Sequence, residues 1–217
     1  MPIYYKEMER KLIINKIEDF VKASIRDYDS GHDWYHIERV RNLSLTIAEE
    51  EKVESLFTVE LAALLHDTGD SKFTKPGDCD ARESITELLI NLGVEHGLIE
   101  EVVKVNRCIS FSSKEKQSEK SIVFKIVQDS DRLDAIGALG IARAFNYGGF
   151  RNNAIYIPEE ISNGNSKSTI GHFHDKLLRL KDLMNTPTGS RIAEGRHKFL
   201  ETFLEQFYLE WNFRTAK

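Results

Sequence analysis

The sequence predicts an all-α fold: a single helical domain over residues 1–217 with one long irregular loop inserted. Three observations predict it. Only four prolines and thirteen glycines interrupt the 217 residues, so long stretches run between helix breakers. Apolar side chains recur at three- and four-residue spacing through most of those stretches. No segment alternates apolar and polar residues for long enough to require a sheet.

From Glu7 to about Asp27, Leu12, Ile13, Ile17, Phe20, Val21 and Ile25 follow helical spacing, and the turn-rich "YDSGHD" closes the segment. The next helix starts around Asp33, whose side chain suits an N-cap, and it carries Ile37, Val40, Leu43, Ile47 and Ala48 on one face together with His36. Further helices are expected over 57–67, 80–92, 96–109, 119–146, 169–185 and 188–211. The core of the domain is placed at about 20–146 and the C-terminal helices at 170–211. Between them "YGGFRNNAIYIPEEISNGNSKST", residues 147–169, reads as an extended loop, because paired glycines and "NGNS" disfavour regular structure. The aromatics of "KFLETFLEQFYLEW" recur at helical spacing and suit either the core or a contact between subunits of a homo-oligomer.

Composition excludes several classes. With 41% hydrophobic and 30% charged residues the chain is too apolar for a disordered protein. A net charge of −5 without a basic tract argues against binding duplex nucleic acid. The N-terminal "MPIYYKEMERK" carries charge where a signal peptide is apolar, and no run approaches ~18 apolar residues. The expectation is a cytoplasmic protein with no membrane partner, and Cys79 and Cys108 are expected to be reduced thiols.

The chemistry-bearing residues interrupt apolar helices. "ELAALLHDTGD" runs straight from a core pattern into His66 and Asp67, groups that are costly to bury without a partner. Helical neighbours point about 100° apart, so the pair can reach one ion only where a helix ends. His36 stands on the apolar face of "WYHIERV", and Asp131 lies within the apolar "FKIVQDSDRLDAIGALGIARAF". Each alone suits a satisfied core polar group. Together they offer two imidazoles and two carboxylates, a donor set that fits Mn²⁺, Fe²⁺, Co²⁺, Ni²⁺ or Zn²⁺ better than Ca²⁺.

The order His36, then His66-Asp67, then Asp131 resembles the H…HD…D signature of the HD-domain metal-dependent phosphohydrolases. The phrases "GHDWYHIERV", "ALLHDTGD", "QDSDRLDAIGALGIARAFNYGG" and "HFHDKLLRLKDLMNTPTG" are similar to its YpgQ-like bacterial branch over roughly residues 20–211. The resemblance implies a helical HD-domain bundle in which His36, His66, Asp67 and Asp131 hold one divalent metal. Mn²⁺ is the favoured ion, with Fe²⁺, Co²⁺, Ni²⁺, Zn²⁺ or Mg²⁺ as alternatives. It also implies a nucleotide substrate: a nucleoside or deoxynucleoside triphosphate cleaved to monophosphate and pyrophosphate. A 5′-nucleotidase, a phosphodiesterase and a non-catalytic nucleotide sensor are the other readings.

Within that resemblance, Asp70 stands where related nucleotidases carry an acidic residue that handles protons, and it is assigned to the attacking water. Gly69 would turn the chain away from the ion. A triphosphate also needs cationic contacts. Candidates are Lys72, Lys75, Arg82, Arg143, Arg151 and Lys176, of which Arg143 and Lys176 lie in segments with site-like motifs. His32 and His172 could donate to phosphate, and Tyr147 or Phe150 could form the wall of a base pocket or pack in the core. His172 and His174, two positions apart, face different ways and are not assigned as ligands. Asp129 and Asp134 read as supporting or solvated groups, with Arg132 as a partner for one of them. His96 and His197 read as structural or surface residues.

Overall fold

A computed structural model describes residues 3–25, 33–68, 81–109, 120–160 and 166–213, with side chains described from Glu7 in the first segment and from Ser84 in the third. The fold is all-α. In chain order the helices are α1 (Ile3–Ser24), α2 (Trp34–Glu50), α3 (Leu56–Leu65), α4 (Ala81–Asn91), α5 (His96–Cys108), α6 (Ile122–Asp134), α7 (Gly137–Phe150), α8 (Thr169–Asp175) and α9 (Pro187–Trp211). Among the described residues the only extended pairing is a single bridge between Ala154 and Ser168. No helix among them is long and apolar enough to cross a membrane. The chain divides into two compact units, 1–130 and 131–217, with the boundary falling inside α6.

In the first unit α3 is the central element. Its sequence LFTVELAALL is apolar almost all round, and Val59 and Leu61 through Leu65 are buried. Such a helix is stable only when neighbours cover every face. α1, α2 and α5 do so, supplying Ile17, Val21, Ile37, Val40, Ile47, Val102 and Val105 to the core. Each large aliphatic buried in this way stabilises the fold by about 1.5–3 kcal/mol. Arg41 of α2 then ties three helices together. Its guanidinium bonds Glu60 of α3, at 2.8 Å from Nε, and Glu18 of α1, at 2.9 Å from Nη1.

α2 begins where the sequence predicts. Asp33 adopts extended backbone angles and its Oδ1 accepts the His36 amide at 2.9 Å, which satisfies an otherwise orphaned donor. Asp33→Ala is expected to lower stability by about 1 kcal/mol, read as a shift in the urea midpoint.

The second unit departs from the expected elements in three places. The helix expected over 119–146 is two helices, because Ile136 is extended and Gly137 takes φ +77°, a left-handed conformation that no side chain favours. The helix expected over 169–185 stops at Asp175 and gives way to two 3₁₀ turns, 177–179 and 181–183. Leu177, Leu180 and Leu183 stand three residues apart, the spacing that a 3₁₀ turn brings into line. The loop expected from Tyr147 is helical as far as Phe150, since α7 continues through both glycines.

Close approach accounts for Gly148. A Cβ built there would lie 2.1 Å from the Thr169 hydroxyl, so only glycine lets α7 and the start of α8 meet. At Gly140 a Cβ would lie 2.3 Å from the Ala135 carbonyl oxygen, a backbone atom that cannot swing away. Gly140→Ala is therefore expected to cost about 1–3 kcal/mol in chemical denaturation, despite alanine's better helix propensity. An unchanged midpoint would show that the backbone relaxes freely here.

The aromatics of α9 form ring contacts at the half-buried margin of the second unit, while Phe199 and Trp211 stay exposed. Phe203 contacts Phe145 and Phe173, and Tyr156 is ringed by Phe207, Tyr208 and Trp211 with centroids 4.9–5.7 Å away.

Candidate metal centre

The two histidines and the aspartate that interrupt the apolar helices of the first unit meet. His36 is the third residue of α2 and is fixed by the Asp33 cap. His66 and Asp67 follow immediately on the last residue of α3, where the chain leaves the helix and both side chains can turn the same way. One ligand atom from each of the three lies within 4.8 Å of the others. His36 Nε2 is 3.4 Å from Asp67 Oδ2, and His66 Nε2 is 3.6 Å from the same oxygen. The two rings stand nearly edge to face, with centroids 5.3 Å apart.

The orientation of the His66 ring follows from its surroundings. Its Nδ1 lies 2.7 Å from the carbonyl oxygen of Ala63, an acceptor only, so Nδ1 carries the hydrogen and donates. In the neutral ring Nε2 then offers a lone pair. It is buried and has no hydrogen-bond partner among the described residues. Burial of an unsatisfied nitrogen costs about 1–3 kcal/mol, a cost that a coordinated cation removes.

Two separations within the donor set match those around a divalent ion. Ligands at about 2.1 Å from a common centre stand roughly 3.0 Å apart at an octahedral edge and 3.4 Å at a tetrahedral one. The observed separations to Asp67, 3.4 and 3.6 Å, sit close to these values. Two imidazoles with one carboxylate form a donor set of the kind that divalent transition metals accept.

A polar residue that sequence reasoning did not single out supports this corner. Asn106, half-buried on α5, points its amide nitrogen at the carbonyl oxygens of Leu65 (2.8 Å), His66 (3.3 Å) and Thr68 (3.0 Å). These are carbonyls at a helix end, which need partners from outside the helix.

The remaining sequence candidates divide plainly. Asp70, His32, Lys72, Gly69, Lys75 and Cys79 lie outside the described residues, as does the side chain of Arg82. Asp131 is on α6 at the start of the second unit and is half-buried. Asp129 and Asp134 are both fully buried rather than solvated. Arg143 donates to the Asp134 carboxylate at 2.7 Å and to its backbone carbonyl at 3.2 Å. Arg132 bonds the Leu183 carbonyl.

On α8, His172 faces outward while His174 bonds the Tyr208 hydroxyl at 2.8 Å. Crowding around the His172 ring lowers its pKa below the ordinary histidine value, and Lys176 lowers it further against the opposing pull of Asp175. Tyr147 is part-exposed with the Arg151 guanidinium 6.0 Å from its ring centroid, and Phe150 is exposed. His96 is exposed beside Glu100, and His197 contacts Glu201, in keeping with structural or surface roles.

A helical chain with a His, His-Asp centre at the end of its buried helix belongs to the HD domain family. The family model matches residues 33–136, a span that takes in His36, His66, Asp67 and Asp131. YpgQ of Bacillus subtilis (strain 168) is 41% identical over 196 residues, which cover 88% of this chain and 90% of YpgQ. The crystal structure of Bacillus subtilis YpgQ in complex with ADP matches with a TM-score of 0.77 and 35% identity, covering 93% of this chain and 96% of that one. An HD-superfamily hydrolase from Bacillus thuringiensis matches with a TM-score of 0.75 and 39% identity, covering 94% and 98%. The chain is thus a member of the HD-superfamily hydrolases.

Proposed function

We propose that the protein is a metal-dependent phosphohydrolase that splits nucleoside or deoxynucleoside triphosphates into the monophosphate and pyrophosphate. The observation that carries the reading is the buried Nε2 of His66, without a hydrogen bond among the described residues, grouped with ligand atoms of His36 and Asp67. A nucleotide as substrate is supported by the structure of the relative YpgQ with ADP. A divalent ion bound by the three residues supplies Lewis acidity toward a phosphoryl oxygen and an acidified water as nucleophile.

The chain's own part is positioning and proton handling. His36, His66 and Asp67 fix the ion, and Asp131 is proposed as the fourth ligand from its place in the HD signature. Asp70 is proposed to take the proton of the attacking water. In the overall step the water oxygen bonds to phosphorus, the α–β anhydride bond breaks, and pyrophosphate departs carrying the electron pair of that bond. Mn²⁺ is the ion proposed, and Lys72, Lys176, His32, His172 and Tyr147 are proposed as contacts to the nucleotide.

Phosphorus NMR of the Mn²⁺-loaded protein with a mixed pool of triphosphates tests the reading, with Asp67→Ala alongside. Pyrophosphate together with monophosphate, absent from the variant, is the expected result. Orthophosphate as the first product would replace the reading with a phosphatase, and no turnover by metal-containing protein would favour a nucleotide sensor. Asp70→Asn is expected to keep the metal and lose turnover by about 10²–10⁴-fold. Full turnover in that variant would remove Asp70 from proton transfer.

A further inference from the structure

We infer that Asn106 is a positioning residue of the metal centre, one that acts by fixing the peptide units on either side of Asp67. The inference rests on the metal reading of His36, His66 and Asp67. Its own support is the convergence of three carbonyl oxygens, from Leu65, His66 and Thr68, on one side-chain nitrogen at 2.8–3.3 Å.

The geometry decides which end of the amide faces them. Carbonyl oxygens only accept, so the NH₂ group points at all three, and the opposite orientation would set a fourth oxygen against them. The Leu65 carbonyl also accepts the Thr68 amide at 3.2 Å, which closes a tight turn around His66 and Asp67. The two ligands therefore sit on a turn that is held at both ends by the same side chain. α3 itself holds them less well, since helix ends lack intrahelical partners and fray. Asn106 comes from α5, which packs against α3, so the turn is anchored to a neighbouring helix.

A side chain that only filled space would leave the direction of His66 Nε2 and Asp67 Oδ2 unaffected. A side chain that fixes their backbone sets that direction, and with it the affinity for the ion. Losing an orienting group behind a ligand typically weakens metal affinity about 10- to 100-fold.

The experiment compares four proteins for Mn²⁺ affinity, by competition with a chromophoric chelator, and for the visible absorption of Co²⁺. They are the unaltered chain, Asn106→Ala, Asn106→Ser and Val105→Ala. Val105 is a buried neighbour on the same helix, and its truncation loosens α5 packing while leaving the carbonyl clamp intact. The expected result is a loss of about 10- to 100-fold in Asn106→Ala with an altered Co²⁺ spectrum. Asn106→Ser, which keeps a hydroxyl donor, falls between, and supplies the reading if the alanine variant does not fold. Val105→Ala is less stable but binds like the unaltered chain. Unchanged affinity in both Asn106 variants, or an equal loss in Val105→Ala, would overturn the positioning role and leave the metal reading standing. No binding by the unaltered chain would overturn both.

Discussion

Replacing His66 by alanine is expected to abolish the stabilisation of the protein by divalent metal and to lower turnover by roughly 10³-fold or more. The argument begins with the ring itself. Its Nδ1 donates to the Ala63 carbonyl, and among the described residues its Nε2 makes no hydrogen bond, with Asp67 Oδ2 3.6 Å away. Alanine removes a ligand atom whose ring the protein already orients through the Ala63 carbonyl. His36 and Asp67 are then two ligands where three stood, too few to hold a metal firmly.

Two separate readouts follow. An ion present at 100 times its Kd stabilises the folded state by about 2.7 kcal/mol, which for a chain of this size is a rise in Tm of roughly 5–10 °C. The unaltered protein should show that rise on adding Mn²⁺, and His66→Ala should show none. Turnover falls because the ion contributes several kcal/mol to the transition state, and about 4 kcal/mol corresponds to roughly 10³ in rate. A His66→Ala protein that kept the metal-dependent rise in Tm would place the ion elsewhere and sink the proposed centre.

The residues of this centre are visible in the sequence because they break a pattern. α3 is buried on every side, and a His-Asp pair at its end conflicts with everything before it, as does His36 on the apolar face of α2. Asn106 breaks no pattern. A half-buried asparagine at a boundary position of an amphipathic helix looks like any other polar residue, and its partners lie 38–41 residues away in sequence. Its role comes entirely from tertiary packing.

The same distinction explains the helices. Periodicity located α2, α3, α5 and α9 closely, since a packed apolar face must repeat every three or four residues. It also ran through Gly137, because periodicity does not register a positive φ at a single residue. At Gly148 and Gly149 the reverse occurred. Low helix propensity suggested a loop, but the close approach of Thr169 requires a glycine, and packing overrides propensity there.

Asp134→Ala is expected to be among the most destabilising substitutions in the second unit, costing about 3 kcal/mol or more. Asp134 and Arg143 stand nine residues apart, across the break between α6 and α7, so no helical spacing links them. The carboxylate is almost wholly buried, with 1% of its side chain exposed, and receives Arg143 at 2.7 Å, while the Arg143 side chain is 20% exposed. A second guanidinium depends on the same charge. Arg196 bonds the Leu133 carbonyl, burial holds its pKa below the ordinary arginine value, and Asp134 opposes that shift.

Removing the carboxylate therefore leaves two partly buried cations with less compensation. Breaking one side of a buried pair typically costs 3–5 kcal/mol, against at most about 1 kcal/mol for an exposed pair. The remaining access of Arg143 to water argues for the lower end of that range. Arg143→Met combined with Asp134→Ala should recover part of the loss, because the double variant no longer strands a charge. Urea denaturation of the two single variants and the double variant measures this directly. A cost below about 1 kcal/mol for Asp134→Ala would mean that solvent reaches the pair and that the break between α6 and α7 is held by packing alone.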